Sequence, residues 1–129
     1  MANENWCMIG YHSVSVLADA VAKGLPLDKE EVLKAMVSSS TIPYLDATGA
    51  YMEKGHVALD HSGSAASLTL EYAYDDWTIY HTALLAGNRS VADTYKKRAA
   101  NYTNVFDTNM GYARPRYADG RWKENFNLL

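Results

Sequence analysis

The run from Ser64 to Ala86, SAASLTLEYAYDDWTIYHTALLA, constrains the fold more than any other part of the chain. Leu70, Ala73, Trp77, Tyr80 and Leu84 follow at spacings of 3, 4, 3 and 4, the period of one helix face. Leu68, Tyr72, Ile79, Ala83 and Ala86 add a second apolar flank, and Glu71, Asp75, Thr78 and Thr82 leave one polar stripe. A helix that is apolar on two sides is covered on two sides. The run therefore predicts a helix over 64–86, stopped by Gly87, inside an assembly of helices.

The other periodicities supply its neighbours. Cys7, Tyr11, Val14, Ala18 and Val21 repeat at 4, 3, 4 and 3, with Ile9, Val16, Leu17 and Ala20 on the flank, and predict a helix over 6–23 ended by Gly24 and Pro26. Asp28 as N-cap, with Glu31 three residues on, opens a helix over 28–39 whose buried edge is Val32, Leu33, Met36 and Val37. From 42 to 63 the chain is punctuated by Pro43, Gly49, Gly55 and Gly63 and reads as a long, mostly irregular loop. Ser90, with Asp93 at the third position, caps a helix over 90–103 with Val91, Tyr95, Ala99 and Tyr102 on its inner face. Beyond Asn104 the chain is turn-rich, and Asp119-Gly120 signals a hairpin, so the tail is irregular or holds a small β-ribbon. The fold class expected is all-α: about four helices as two antiparallel helix hairpins, in a single partial domain spanning 1–129. Doubly apolar helices suit a larger toroid or solenoid better than a self-sufficient bundle. Cut from such an assembly they expose apolar surface, so self-association is expected.

Composition removes several functional classes. A net charge of −3 and a pI of about 5.7 give no basic stripe for nucleic acid and no polybasic membrane patch. No apolar run approaches the ~20 residues of a membrane helix, so no membrane insertion is expected. The opening MANENWCMIG lacks the basic start and apolar run of a signal peptide, and the single Cys7 cannot form an internal disulfide. Ten Tyr and three Trp against two Phe suit a carbohydrate-handling surface, and equally a core of hydrogen-bonded tyrosines.

Asp75 and Asp76 are the candidates for chemistry. Adjacent helical residues point about 100° apart, so the two carboxylates do not aim into one pocket. Glu71 lies one turn before Asp75, and like charges at that spacing cost roughly 0.2–0.5 kcal/mol, which calls for a nearby cation. Arg98, Arg89 and Lys96 on the following helix are the nearest supply. The structural reading of Glu71, Asp75 and Asp76 is an acid-to-arginine clamp between the third and fourth helices. The catalytic reading requires a second carboxylate across a cleft.

The histidines carry weaker signals. His56 and His61 flank Asp60 with no recognised metal spacing and read as a surface loop. His12, beside Tyr11, is either a half-buried histidine with one hydrogen bond or a contact to a sugar hydroxyl, and His81 has no stronger claim. DTNMG at 107–111 starts like a calcium loop, but Tyr112 stands where the loop glycine belongs and no Glu closes it. The sequons at Asn88 and Asn101 fall in helical context. Neither a nucleophile elbow around Ser13 or Ser15 nor a glycine-rich phosphate loop is present.

Three strings carry a resemblance. CMIGYHSVSVLADAVAKGL from Cys7 to Leu25, SLTLEYAYDDWTIYHTALLAGN from Ser67 to Asn88, and YKKRAANYTNVFDTNMGYARPRYADGRWKENF from Tyr95 to Phe126 resemble, in order, successive blocks of glycoside hydrolase family 92. That family comprises calcium-dependent exo-acting α-mannosidases, usually exported to the periplasm or cell surface of bacteria. The resemblance implies an internal slice of an (α/α)₆ toroid. It implies a parent enzyme that hydrolyses terminal α-linked mannose from glycans with inversion, calcium holding the sugar in a distorted ring.

The family's Trp-Asp-Thr-Phe-Arg, Glu-Gly-Asn and His-Gly-Asn-Glu strings are absent from the sequence, and KENF and NLL depart from its Pro-Phe and Asp-Pro pattern. By this resemblance the chain carries no catalytic residue and no metal ligand, binds no calcium itself and is inactive alone. Tyr11 and His12 are its candidate pocket residues, and Glu71, Asp75 and Asp76 a structural acidic cluster. Two alternatives stand beside this reading: a non-catalytic helical interaction or sugar-binding module, and a different (α/α)₆ glycosidase.

Overall fold

The structure is a computed structural model and describes residues 10–45 and 47–127. It is helical, with α1 Ser13–Ala22, α2 Lys29–Ser39, α3 Thr48–Lys54, α4 Ala65–Leu85 and α5 Arg89–Ala99. A 3₁₀ helix over Ala100–Val105 leads into β1 Phe106–Asp107, which pairs antiparallel with β2 Tyr112–Ala113. Long α4 is the hub: α1, α2, α5 and the 3₁₀ helix all pack on it. The core joins Val14, Val21, Leu33, Met36, Tyr51, Tyr72, Ile79 and Tyr95 from different elements.

Two helix ends show why the stops lie where they do. After α1 the Gly24 N–H donates to Val21 and the Leu25 N–H to Ala20; after α4 the Gly87 N–H donates to Leu84 and the Asn88 N–H to Ala83. Both are Schellman closures, with the glycine in the left-handed region. Asp28 caps α2 by accepting from the Glu30 and Glu31 amides at 2.9 and 3.1 Å.

The first helix was expected over 6–23. Trp6, Cys7 and Ile9 lie outside the described residues, and the structure starts α1 only at Ser13. Gly10 sits at φ +106°, and the Tyr11 amide donates to the Asp75 carboxylate, not to a helix carbonyl. This turn keeps Gly10 to His12 out of the helix.

The 42–63 segment, read as irregular, contains α3. At seven residues α3 is far too short to be stable on propensity alone. It is held from outside: Tyr51 is fully buried and its hydroxyl reaches Asp76.

The cap of α5 is Asn88 and not Ser90, because the Asn88 side chain accepts from the Val91 amide at 3.1 Å. Tyr102, assigned to the inner face, is half-exposed. The chain tightens to 3₁₀ at Ala100, where three residues make a turn, so the α-helical phase no longer holds and Val105 becomes the buried residue.

The main revision concerns α4. Its polar stripe is buried beside its second apolar flank: Asp75, Thr78 and Thr82 are covered along with Leu68, Tyr72, Ile79 and Ala83, whereas Leu70, Trp77 and Leu84 are at least one-third exposed. The threonines tolerate burial because each hydroxyl donates within the helix, Thr78 to the Asp75 carbonyl at 2.8 Å and Thr82 to the Thr78 carbonyl at 3.0 Å. Small, internally satisfied side chains let α1 approach closely. Glu71, at the end of the stripe, stays partly exposed.

In the tail the ribbon turns at Met110-Gly111. The Asp119-Gly120 turn closes only an isolated bridge between Arg116 and Trp122.

Candidate functional site

The adjacent aspartates of α4 are both fully buried, yet their partners differ completely. Asp76 faces α5 and α3. It accepts from the Tyr11 hydroxyl at 2.7 Å, the Tyr51 hydroxyl at 2.8 Å and Arg98 Nε at 2.9 Å. Arg98 also donates to the Tyr11 hydroxyl and to the Ser40 carbonyl, both at 3.1 Å, and lies over the Tyr95 ring at 4.8 Å. Tyr95 in turn shares a short hydrogen bond with Ser40. One ion pair thus ties α2, α3, α4, α5 and the turn before α1.

Burial pushes the Asp76 carboxyl up, while Arg98 and the two tyrosine hydroxyls pull it back. Burial also works against the charge of Arg98, and Asp76 more than offsets it, so the guanidinium stays charged. Tyr11 and Tyr51 are pushed well above the usual phenol range, first by burial and then by the Asp76 charge. Both hydroxyls therefore remain protonated donors.

Asp75 points the other way, to the turn before α1. Its Oδ2 accepts from the Tyr11 amide and its Oδ1 contacts His12 Nδ1, both at 2.8 Å. Burial raises its carboxyl from 3.8 to about 6, against the pull of His12 and the Tyr11 amide. His12 Nε2 lies 3.4 Å from Glu71 Oε2, nearer the surface. Gly10 makes this close approach possible: a Cβ there would stand 2.9 Å from Asp75 Oδ2 and 3.2 Å from the His12 ring.

Beside this corner runs an open groove of about 470 Å³ between α1 and α4, lined by Ser15, Asp19, Tyr74, Trp77, His81 and Leu84. Tyr74 and Trp77 are half-exposed, and their rings lie near parallel, with centroids 6.3 Å apart. A second groove, of about 590 Å³, lies between α2 and the start of α5, beside Glu30, Lys34, Asn88 and Arg89.

Of the sequence candidates, Tyr11 is in the core, His12 is half-buried beside Glu71, and Asp75 and Asp76 diverge. Arg98 supplies the cation for Asp76, while Asp75 takes His12. His56, read as part of a surface loop, is buried. The tail folds over it, and Tyr117 places its carbonyl 3.5 Å from Nε2. His61 and His81 are exposed. Asp107 does not open a calcium loop: it accepts from the Asn109 amide and from Arg114, which hold its carboxyl below the usual range despite desolvation. Among the described residues no group of three or more His, Cys, Asp or Glu side chains is placed to hold a metal ion. None of the described helices is long and apolar enough to cross a membrane.

Sequence reasoning missed Tyr51, Ser40 and the hydroxyl of Tyr11 as partners of the buried ion pair. The excess of Tyr over Phe was the available signal, but it carries no address.

Comparison with known proteins gives a consistent result. The family model described as the glycosyl hydrolase family 92 catalytic domain matches residues 1–129. The family GH92 α-mannosidase BT3965 from Bacteroides thetaiotaomicron, solved in complex with mannoimidazole, is 38% identical with a TM-score of 0.93, over 98% of this chain and 17% of that one. The family GH92 inverting mannosidase BT2199 from the same organism is 34% identical with a TM-score of 0.85, over 94% of this chain and 18% of that one. The chain thus spans under a fifth of the length of these relatives. No curated protein matched it.

Proposed function

The chain belongs to glycosyl hydrolase family 92, and from that premise we propose that it forms one wall of a catalytic domain that removes terminal α-linked mannose from glycans. The parent reaction on this reading is inverting. One carboxylic acid protonates the leaving oxygen and a second carboxylate, about 6.5–9.5 Å away, activates water on the opposite face of the sugar.

One observation carries the wall reading: both aspartates of the buried pair are turned inward onto protein partners, and Asp76 is neutralised by Arg98. Neither presents a free oxygen to a cleft. The chain supplies scaffold, with Tyr11 and Asp76 inside it and His12 at its edge. Calcium is expected in the parent by family resemblance. Among the described residues no group of three or more potential ligand side chains is gathered, and no step is routed through calcium here.

The test is a chimera in which these 129 residues replace the matching segment of the BT3965 mannosidase. Retained release of mannose is expected, and a folded but inactive chimera would sink the proposal. The chain alone is expected to release no mannose from α-1,2-mannobiose, and chelator-sensitive release would overturn the wall role. The half-exposed Tyr74 and Trp77 beside the α1–α4 groove favour, as a second reading, a sugar-binding module without chemistry. Calorimetric titration of the wild type and of Trp77→Ala with mannose separates the two, since the module reading requires binding that is lost with the Trp77 ring.

A further inference from the structure

The uncovered stripe of α4 changes character along its length. Glu71 lies at one end beside His12, Tyr74 follows, then Trp77 and His81, and finally Leu84 and Leu85. The far end is an apolar packing face. The near end is polar and is built around one ring.

Among the described residues Asp75 has no arginine or lysine partner, and its carboxylate oxygens contact the Tyr11 amide and the His12 ring. A carboxylate only accepts, so the hydrogen of the His12–Asp75 contact sits on Nδ1, and Nε2 is the nitrogen presented outward. The inner contact, at 2.8 Å, is made to a fully buried oxygen. The outer contact, at 3.4 Å, is made to a Glu71 side chain that is 44% exposed. The first fixes the ring. The second is loose enough for another group to take its place. His12 itself is 18% exposed, and the Tyr74 ring stands 6.4 Å from it, tilted by 56°.

We propose that His12 Nε2 and the Glu71 carboxylate form a binding corner for hydroxyl groups of a pyranose, with Asp75 as the positioning residue behind the ring and Tyr74 as the flanking wall. This rests on the reading that the parent domain handles mannosides. One sugar hydroxyl donates to Glu71, and the adjacent hydroxyl donates to Nε2, which is an acceptor in this tautomer. The Tyr74 ring offers an apolar face to the sugar's C–H groups. At neutral pH Asp75, raised to about 6, is mostly ionised and serves as the acceptor that sets the tautomer.

The experiment uses the 129-residue chain with ¹⁵N-labelled histidine, its imidazole spectra followed during titration with methyl α-D-mannopyranoside. Without sugar, His12 shows the Nδ1–H pattern. With sugar, its Nε2 signal shifts saturably, with an affinity on the order of 1–10 mM. Glu71→Gln keeps the Nδ1–H pattern and weakens binding by at least about tenfold. Asp75→Asn mixes the two tautomers in a chain that still folds, which a purely structural role for Asp75 would not produce. Lys97→Ala, exposed on α5, leaves both readouts unchanged. Saturable shifts elsewhere with His12 unmoved, or no saturable shift at all, overturn the corner. Shifts that follow protein concentration place a second copy there and overturn it as well. The mannoside reading is judged separately by the chimera, which can fail while the corner binds sugar, or succeed while it does not.

Discussion

Removing the cation from the buried pair gives the most discriminating test of the scaffold. In Arg98→Met the methionine keeps much of the side-chain volume and loses three hydrogen bonds, to Asp76, Tyr11 and Ser40. Among the described residues, Asp76 then keeps two tyrosine hydroxyls as partners while fully buried. Breaking a buried pair on one side costs about 3–5 kcal/mol, because a charge is left uncompensated. Asp76 has one way out, which is to take up a proton. From an ordinary value of 3.8, neutralising it at pH 7 costs about 4 kcal/mol, so the penalty has a ceiling of that order. At pH 5 the same escape costs only about 1.6 kcal/mol.

The variant should therefore lose about 3–4 kcal/mol at pH 7 and about 1–2 kcal/mol at pH 5. Urea unfolding followed by far-UV circular dichroism measures this. With a slope of about 1–3 kcal/mol/M for a chain of this size, the midpoint at pH 7 falls by roughly 1–4 M. Adding Asp76→Asn to Arg98→Met removes the stranded charge and should restore at least about 1 kcal/mol. A loss below about 1 kcal/mol at pH 7, or the same loss at both pH values, would refute the claim that this pair braces the fold.

Three further outcomes follow from the same geometry. Gly10→Ala should destabilise by about 1–3 kcal/mol in urea unfolding, because it strains a φ of +106° and drives a methyl group to within 2.9 Å of Asp75. The folded-state value of Asp75 lies above its unfolded value. Its contribution is therefore full below about 4 and is lost as pH rises through about 6, so wild type should gain on Asp75→Asn by roughly 1–3 kcal/mol between pH 7 and pH 4. His12, Glu71 and Asp76 face or adjoin that carboxyl, so their titration is followed by NMR in both proteins to isolate the Asp75 share. The isolated chain should self-associate through Trp77, Leu84 and Leu85, and Trp77→Asp should shift sedimentation velocity towards monomer; a wild-type chain that sediments as a monomer at high concentration would refute this.

What could be read from the sequence, and what could not, divides along a physical line. Helices announce themselves when their own residues carry the period, and α4 and α2 did. Helices that exist because something else holds them do not: α3 has seven residues, and its evidence is a tyrosine whose partner, Asp76, lies 25 residues away. The acid pair was partly legible for the same reason. That neighbouring side chains diverge follows from helix geometry, and an arginine on the next helix follows from charge. Which aspartate receives it depends on how α1, α3 and α5 are disposed around α4, and no local pattern encodes that.

On α4 hydrophobicity alone is a poor guide to burial, because the chain spans under a fifth of its relatives. Within these residues α1 selects the threonine side, where hydroxyls bonded to their own helix permit close packing. The tryptophan and leucine side is left for whatever else covers the helix. The sequence pattern thus recorded both contacts of α4, and the structure shows that the polar one is made within this chain. The sequence alone could not have ranked the sides of α4, because its two apolar flanks look alike, and only the flank of Leu68, Tyr72, Ile79 and Ala83 is buried here, beside the threonines.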